Sequence, residues 1–403
     1  MSAGLRRWSW LLALAPILMQ ACAPQPERPE PDRLVLRPVS FHDLPGWEAD
    51  DLSAALQALQ RSCASLEERA DDEPLDIAPL GGRVGDWRAV CADAAGLKGA
   101  AQARAFFEAR FAPYEALNGA EAEGLFTGYF EPELRGATRA GGRYGVPLYA
   151  RPDDLVTVDL GLFRSALVGE RVAGRVTDGA LEPYATRAEI DGGALTEEGL
   201  ELVWVDDPVD AFFLHIQGSG RIAFEDGTSR RLAYAATNGH NYFAIGRRLV
   251  DLGALSREDV TMPAIRDWLA ANPERASEVM HENASYVFFR WLEEEQAADG
   301  PVGAQGVALT AGRSLAVDRR FVPMTVPIWL ESAAPDPDPA REDRPLRRLM
   351  VAQDSGGAIR GPVRGDVFWG TGAEAGAVAG RMKHQGRYWL LLPRGLDVSA
   401  HLD

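Results

Sequence analysis

The spacing of apolar residues predicts that the first part of the chain is helical. Beyond Asp51 an apolar stripe recurs at helical spacing, formed by Leu52, Leu56, Leu59, Cys63 and Leu66. Asp50 or Asp51 is placed to act as the N-cap of this helix. Further helices are predicted near residues 86–96 and over residues 100–117. Their candidate core residues are Phe106, Phe107 and Phe111.

After residue 125 the pattern changes to short apolar runs that are typical of strands. Residues 202–205 and 211–216 are apolar enough to be predicted as buried strands. The pair Asp226–Gly227 favours a β-hairpin, because it separates two strand-like runs, Arg221–Phe224 and Arg231–Tyr234. The sequence therefore predicts a β-rich region in the middle of the chain.

Helical patterns return before a second strand-rich region. One helix is predicted over residues 244–252, and another after Ser256, which has Asp259 three residues on as a capping partner. Residues 285–290 begin the second β-rich region, in which 335–345 is predicted to be an exposed acidic loop. This order indicates one domain interrupted by another, with a groove between two β-rich bodies.

Three aspartates follow predicted strands near the C-terminus. A buried strand over Leu349–Ala352 delivers Asp354 onto a glycine-rich loop, and Asp366 opens the next apolar run. Asp318 lies upstream, where another alternating pattern ends. Loops held by strands commonly carry the chemistry of a protein, although aspartates also cap ordinary turns. The sequence thus offers three candidate catalytic carboxylates.

Composition and charge narrow the class of protein. Hydrophobic residues make up 46% of the chain, which indicates a globular protein. The formal net charge of −17 argues against a nucleic-acid partner, because such binding depends on cations that neutralise phosphates. It also gives no overall attraction to an anionic polymer. We expect an anionic substrate to be held by local contacts.

The first residues predict export and a lipid anchor. Arg6 and Arg7 precede an apolar run that is too short to span a bilayer, so residues 1–21 are predicted to be a signal peptide. Residues 19–22, MQAC, resemble a lipoprotein cleavage box and predict lipidation of Cys22. The alternative is cleavage after an AxA pattern at Ala21–Ala23. A proline-rich linker over 22–45 would then separate the body from its anchor.

The remaining cysteines and the histidines indicate no metal chemistry. Cys63 and Cys91 are either one disulfide in an oxidising periplasm or two buried thiols. The six histidines lack HxH and HExxH spacing, so no zinc site is predicted, and His215 is interpreted as a hydrogen-bonded core residue. The run QGSGR at 217–221 is neither a GxSxG elbow nor a Walker loop.

Several long runs resemble one family. SLAVDRRFVP, MVAQDSGGAIRG and GDVFWGTGAEAGAVAGRMKHQGRYWLL resemble the three-aspartate domain of membrane-bound lytic murein transglycosylase A. TGYFEPELRG, DAFFLHIQGSGRI, TNGHNYFAIGRRL and NASYVFFR resemble the same family in the same order. The resemblance implies a mainly β fold with a helical N-terminal segment. A double-psi β-barrel, formed by 46–130 and 294–403, would be interrupted by a smaller β-barrel at 131–293.

The resemblance also implies a lytic transglycosylase that cleaves the MurNAc–GlcNAc bond of peptidoglycan to a 1,6-anhydro product, without metal or cofactor. Asp366 occupies the position of the catalytic acid, Asp354 is the second candidate, and Asp318 is a third that holds the barrel. The segment between Asp354 and Asp366 is one residue longer than the family pattern, within 362–365. Residues implied to bind the glycan are Thr127, Tyr129, Gln217, Ser219, Arg221 and Trp369.

Two alternatives remain at this point. The first is a polysaccharide hydrolase in which Asp354 and Asp366 form an acid/base pair and water is consumed. The second is a non-catalytic glycan-binding lipoprotein. In each case the expected partners are glycan strands and, through the lipid anchor, the outer membrane that faces the periplasm. The sequence does not identify protein partners.

Overall fold

The largest sheet closes into a barrel near the candidate aspartates. The computed structural model describes residues 32–293 and 300–402. Eight strands form this sheet in the order β1-β2-β17-β14-β15-β13-β16-β3, and an additional β3–β17 pairing closes six of them into a ring. Their bounds are β1 Leu34–Pro38, β2 Phe111–Asn118, β3 Gly124–Glu131, β13 Ser314–Val317, β14 Pro327–Ala334, β15 Arg344–Asp354, β16 Arg364–Thr371 and β17 Lys383–Pro393.

A second sheet lies between β3 and β13 in the sequence. It contains six strands in the order β12-β11-β10-β4-β9-β5. Their bounds are β4 Glu133–Ala137, β5 Val146–Tyr149, β9 Glu201–Val205, β10 Gly220–Phe224, β11 Ser229–Thr237 and β12 Val287–Trp291. A bridge from Ala150 to Phe289 brings its two ends together. A small third sheet contains β6 Val156–Asp159, β7 Arg171–Thr177 and β8 Ala180–Pro183.

Helices surround both barrels. Those before the first barrel are α1 Ser53–Ala64, α2 Val84–Ala94 and α3 Ala100–Arg110. Those within the inserted region are α4 Arg187–Glu189, α5 Pro208–Gln217, α6 Ile245–Asp251, α7 Met262–Ala271 and α8 Pro273–His281, and α9 Gly372–Ala379 follows β16. The mainly β fold, the helical N-terminal segment and the interruption of one barrel by another are confirmed. In the described residues, no helix is long and apolar enough to cross a membrane.

The prediction of a strand at 211–216 is wrong, because these residues belong to α5. The helix starts where Asp207 accepts hydrogen bonds from the N–H groups of Val209 and Asp210, with a proline at its first turn. It is apolar on all sides because it packs between two clusters: Leu214 joins the core of the second sheet, and Phe213 joins the core of α6 to α8. A helix buried on both faces cannot be distinguished from a strand by periodicity.

The predicted helix over 100–117 is too long. It ends at Arg110, and the chain continues as β2 with alternating burial and Phe111 in the core. Pro113 explains the change, since proline and the residue before it disfavour helix. The helix predicted after Ser256 also starts later. Ser256 and Asp259 do form their hydrogen-bonded pair, but α7 begins at Met262 with Thr261 as its N-cap.

Other expectations are confirmed. The β10–β11 hairpin forms around Asp226–Gly227, and Asp354 is the last residue of β15. His215 is buried in α5, where its Nδ1 accepts a hydrogen bond from the backbone of Val287. Of the two alternatives left open for Cys63 and Cys91, the structure has the disulfide, which joins α1 to α2 with a Cα–Cα distance of 5.4 Å. The predicted signal peptide, Cys22 and the start of the linker lie outside the described residues.

Candidate active site

Asp366 lies on β16 in the middle of the barrel wall. In the ladder its partners are Ala316 of β13 and Thr127 of β3. The Thr127 hydroxyl donates a hydrogen bond to Oδ1 of Asp366, and Arg364 donates another to the same atom at 2.7 Å. The side chain of Asp366 is 20% exposed, so it is largely shielded but still reaches solvent.

Asp354 lies at the end of β15 and is surrounded by hydrogen-bond donors. The backbone N–H groups of Ala304 and Ser355 donate to its Oδ1 at 2.8 and 2.9 Å. The phenolic hydroxyl of Tyr129 donates to Oδ2 at 2.8 Å. Both oxygens of this carboxylate are therefore occupied, which favours its charged form.

The two carboxylates belong to one cluster. Thr127 and Tyr129 are two residues apart on β3, so their side chains point to the same face. Burial, followed by the charges of Asp354 and Asp366, raises the pKa of Tyr129 well above its ordinary value. The charges of both aspartates therefore act on the pKa of Tyr129. The hydrogen bonds from Thr127 to Asp366 and from Tyr129 to Asp354 show that one strand contacts both carboxylates, as expected if they share a site.

Burial raises the pKa of both aspartates. For Asp354 the hydrogen bonds oppose burial, and the negative charge of Asp366 adds to the upward shift. For Asp366 burial outweighs the opposing charge and hydrogen bond of Arg364. A carboxyl group with a raised pKa is suited to general acid chemistry near neutral pH.

Asp318 is placed differently. Its carboxylate forms a bidentate ion pair with Arg320 and accepts a hydrogen bond from the N–H of Gly361 at 2.9 Å. Burial alone would raise the pKa of Asp318, but these contacts outweigh burial and lower it. Within the described residues no hydrogen bond joins it to Asp354 or Asp366. Asp318 fixes the loop between those two residues to the end of β13.

A cleft of about 260 Å³ runs beside the cluster, between the barrel and the inserted region. Thr127 contributes to its wall from the barrel, and Gln217 and Tyr242 contribute from the insert. Gln217 also accepts a hydrogen bond from the N–H of Phe130 at 3.0 Å, and so connects α5 to β3. Burial and then the charge of Asp366 raise the pKa of Tyr242.

The sequence reasoning did not identify Tyr242 or the charge of this cleft. Tyr242 stands in the run TNGHNYFAIGRRL, and only its aromatic side chain signalled a role. The lining contains three cations, Arg247, Arg381 and Lys383, and no aspartate or glutamate among the described residues. Locally, the cleft therefore has the opposite charge to the chain as a whole.

The remaining predicted glycan-binding residues lie away from the lining of this cleft. Ser219 is half-buried before β10, and Arg221 lies 3.9 Å from Glu133 in a loose ion pair. Trp369 is partly buried against the barrel core, and its indole N–H points to the sulfur of Met382 at 3.3 Å. Their part in glycan binding stays a prediction.

Comparison with known proteins agrees with this geometry. The MltA specific insert domain matches residues 125–290, and the 3D domain matches residues 313–392. The two matched domains, together with relatives that are named lytic murein transglycosylases, define the class of lytic transglycosylase enzymes.

The particular family follows from relatives of similar length. Membrane-bound lytic murein transglycosylase A of Vibrio cholerae is 34% identical over 288 residues, which cover 70% of this chain and 69% of the relative. A membrane-bound lytic murein transglycosylase from Agrobacterium tumefaciens has a solved structure that is 35% identical, with a TM-score of 0.79 over 89% of this chain and 98% of the other. The chain belongs to the membrane-bound lytic murein transglycosylase A family.

A further solved structure is of Escherichia coli MltA with bound chitohexaose. It is 26% identical to this chain, with a TM-score of 0.63 over 90% of this chain and 95% of the other.

Proposed function

We propose that this enzyme cleaves the β-1,4 bond between N-acetylmuramic acid and N-acetylglucosamine in peptidoglycan and forms a 1,6-anhydromuramic end. The observation that carries the proposal is the burial of Asp366 and Asp354 beside a cleft, where Thr127 and Tyr129 of one strand bind one carboxylate each. The names of the relatives support murein as the substrate, and the chitohexaose-bound relative supports a β-1,4-linked glycan.

In the proposed reaction Asp366 acts twice. Its protonated carboxyl gives a proton to the glycosidic oxygen as the bond from that oxygen to C1 of the muramic ring breaks, and the oxygen stays on C4 of N-acetylglucosamine as a hydroxyl. The C6 hydroxyl of the same muramic ring then attacks C1, and the Asp366 carboxylate accepts the hydroxyl proton. One proton leaves and one returns, so the enzyme is regenerated and no water is consumed.

Asp354 is assigned the role of a stationary anion. Both of its oxygens accept hydrogen bonds, while within the described residues Oδ2 of Asp366 accepts none. A carboxyl group needs a free oxygen to carry a transferable proton, so Asp366 is the better acid. The negative charge of Asp354 would stabilise oxocarbenium character at C1.

The cations of the cleft support an anionic substrate. Arg247, Arg381 and Lys383 are among the residues that line the cleft, whereas the chain has a net charge of −17. The peptides attached to muramic acid carry carboxylates. We assign Arg247 and Lys383 to holding such groups, which would allow an acidic protein to retain an acidic polymer. The guanidinium of Arg381 already donates to the carbonyls of Ala377 and Asp336.

The proposed location is the periplasmic face of the outer membrane, with an acyl anchor on Cys22. The relatives are named membrane-bound, which supports an anchor of some kind. We also propose the domain limits stated above, with 131–293 as the insert and 46–130 together with 294–403 as the catalytic barrel. Palmitate labelling of wild type and Cys22→Ala tests the anchor.

The test of function is mass analysis of the products released from purified murein sacculi by wild type and Asp366→Asn. We expect wild type to release anhydro products, which lack the elements of water, and Asp366→Asn to release almost none while still binding sacculi. Products with ordinary reducing ends would show a hydrolase. Equal behaviour of the two proteins, with binding and no release, would show a glycan-binding protein without activity.

A further inference from the structure

The guanidinium of Arg364, next to the proposed acid Asp366, donates hydrogen bonds to four protein acceptors. Its Nη1 donates to Oδ1 of Asp366 at 2.7 Å, to the carbonyl of Gly365 at 2.6 Å and to that of Leu125 at 3.3 Å. Its Nη2 donates to the hydroxyl of Thr127 at 2.7 Å. The side chain is only 12% exposed, so it is held by the protein and is poorly placed to bind substrate.

These contacts form a closed ring. Arg364 donates to the Thr127 oxygen, Thr127 donates its hydroxyl hydrogen to Oδ1 of Asp366, and Arg364 donates to the same Oδ1. The strand geometry makes this ring possible, since Arg364 and Asp366 are two residues apart on β16 and point to one face. Asp366 is also directly paired with Thr127 in the ladder.

The ring treats the two carboxylate oxygens unequally. Oδ1 accepts both hydrogen bonds, and within residues 32–293 and 300–402 no hydrogen bond reaches Oδ2. An oxygen that already accepts a charged donor and a hydroxyl is a poor place for a proton. The proton therefore belongs on Oδ2.

We propose that Arg364 is a positioning residue that, together with Thr127, fixes Oδ1 of Asp366 as the charged oxygen and so makes Oδ2 the atom that delivers and recovers the proton. This inference rests on the proposed function for the meaning of that proton. The bonding pattern itself is independent of it. Arg364 also favours the carboxylate that must form after the first step, and so assists the return of the C6 proton.

Several other groups act on the same carboxyl. The negative charge of Asp366 raises the pKa of Asp354 on β15, of Tyr129 on β3 and of Tyr242 in the insert. Lys383 of β17 is paired with Thr127 on the far side of β3. Two of the neighbouring side chains are cations, Arg364 and Lys383. In the described residues, only Arg364 forms an ion pair with Asp366. Its removal should therefore raise the pKa of Asp366.

The experiment compares Arg364→Gln, Arg364→Lys and wild type in the full-length enzyme. We expect Arg364→Gln to move the alkaline limb of the kcat/KM profile to higher pH and to lower activity at the optimum. The ratio of variant to wild-type activity above the limb then rises by about tenfold for each unit that the limb moves. Arg364→Lys keeps the positive charge but loses the planar guanidinium that binds Asp366 and Thr127 together. The alkaline limb of its kcat/KM profile should therefore stay closer to that of wild type, while its activity still falls.

A matched control removes a similar pair elsewhere. Arg320 lies two residues from Asp318 and forms a comparable ion pair outside the cleft. Arg320→Gln should leave the alkaline limb where it is. A purely structural role for Arg364 would lower activity and melting temperature at every pH without moving the limb.

Titration of the Asp366 carboxyl itself tests the role of Arg364 without relying on the proposed reaction. The carboxyl carbon of Asp366, in protein labelled with 13C-aspartate, is identified by its absence from Asp366→Asn and is titrated in wild type and Arg364→Gln. An unchanged or lowered midpoint in a folded variant would overturn the role of Arg364. If Arg364→Gln does not fold, Thr127→Val replaces it, with the same upward shift expected and the same contrary result. Anhydro products from Asp366→Asn would instead overturn the role of Asp366 in the reaction, while the effect of Arg364 on the pKa of Asp366 would still be decided by the titration.

Discussion

The hydroxyl of Tyr129 donates to Oδ2 of Asp354 at 2.8 Å, and Thr127, two residues earlier on the same strand, donates to Asp366. One strand of the barrel thus contacts both candidate carboxylates. Because β3 is also the last strand before the insert, any movement of the insert that shifts β3 would alter both contacts together. Through β3, the position of the insert is therefore linked to the positions of both aspartates.

Tyr129→Phe is expected to reduce turnover. A hydrogen bond to a charged group contributes about 1.5–3 kcal/mol, so its loss should lower kcat by roughly ten- to a hundredfold if Asp354 acts as an anion. The ring contact with Phe368, with centroids 5.3 Å apart, should persist and preserve the fold. Release of anhydro products at saturating sacculi measures the effect. An unchanged kcat would remove Asp354 from the mechanism.

Asp354→Asn is expected to flatten the pH dependence of stability. The raised pKa means that the folded protein binds this proton more tightly than the unfolded chain, so the carboxyl lowers stability as pH rises from 3.8 through the folded pKa. The amide cannot ionise and removes this loss, which for one group is at most about 1.4 kcal/mol per pH unit. Urea unfolding at a series of pH values from 4 to 8 measures it. A steeper loss of stability with pH in Asp354→Asn would contradict the assignment.

The sequence predicted the carboxylates better than it predicted their surroundings. Asp354 and Asp366 could be found because each adjoins an apolar run that forms a barrel strand. Arg364 had no such signal, since its importance comes from its contacts with Thr127 and Leu125 of β3, which lie more than 230 residues away in the sequence. Contacts of this range are set by strand pairing and are not visible in local spacing.

The elements of the fold were likewise predictable where the local sequence marks them, and not where packing against distant residues decides the structure. The β10–β11 hairpin was predicted because Asp226–Gly227 marks the turn between its two strands. Residues 211–216 were not, because burial between two cores removes the polar face that identifies a helix. The change from α3 to β2 at Phe111 was missed because three phenylalanines continue the apolar pattern across it.

Asp318→Asn is expected to act on stability and not on the chemistry. The variant loses the charge that Arg320 requires and weakens the bond to Gly361, at a cost of about 2–3 kcal/mol. Since the pKa of Asp318 is lowered in the fold, its contribution is present above 3.8 and is lost as pH falls through the lower folded value. Urea unfolding measures the cost. A complete loss of activity in folded Asp318→Asn would assign it a direct role.

Gly128→Ala is expected to disturb the strand between Thr127 and Tyr129. A Cβ at this position would lie 2.7 Å from Nε1 of Trp369 and 3.0 Å from Cα of Ala379. Since a backbone atom is involved, the strand or α9 must move, which commonly costs about 1–3 kcal/mol. We expect both stability and kcat to fall. Gly357→Ala is a suitable control, because no atom lies within 4 Å of the added Cβ.

Removal of the disulfide between Cys63 and Cys91 should separate stability from activity. It closes a loop across a sequence separation of 28 residues, for which chain entropy gives about 3–4 kcal/mol. Ser62, the neighbour of Cys63, binds Gln305 and Gln353, which precedes Asp354, so α1 keeps a second attachment to the site. Cys63→Ala/Cys91→Ala should therefore unfold at lower urea concentration and yet release anhydro products at the wild-type rate at 25 °C. A matching loss of activity in the folded variant would mean that the disulfide, through α1, positions Asp354.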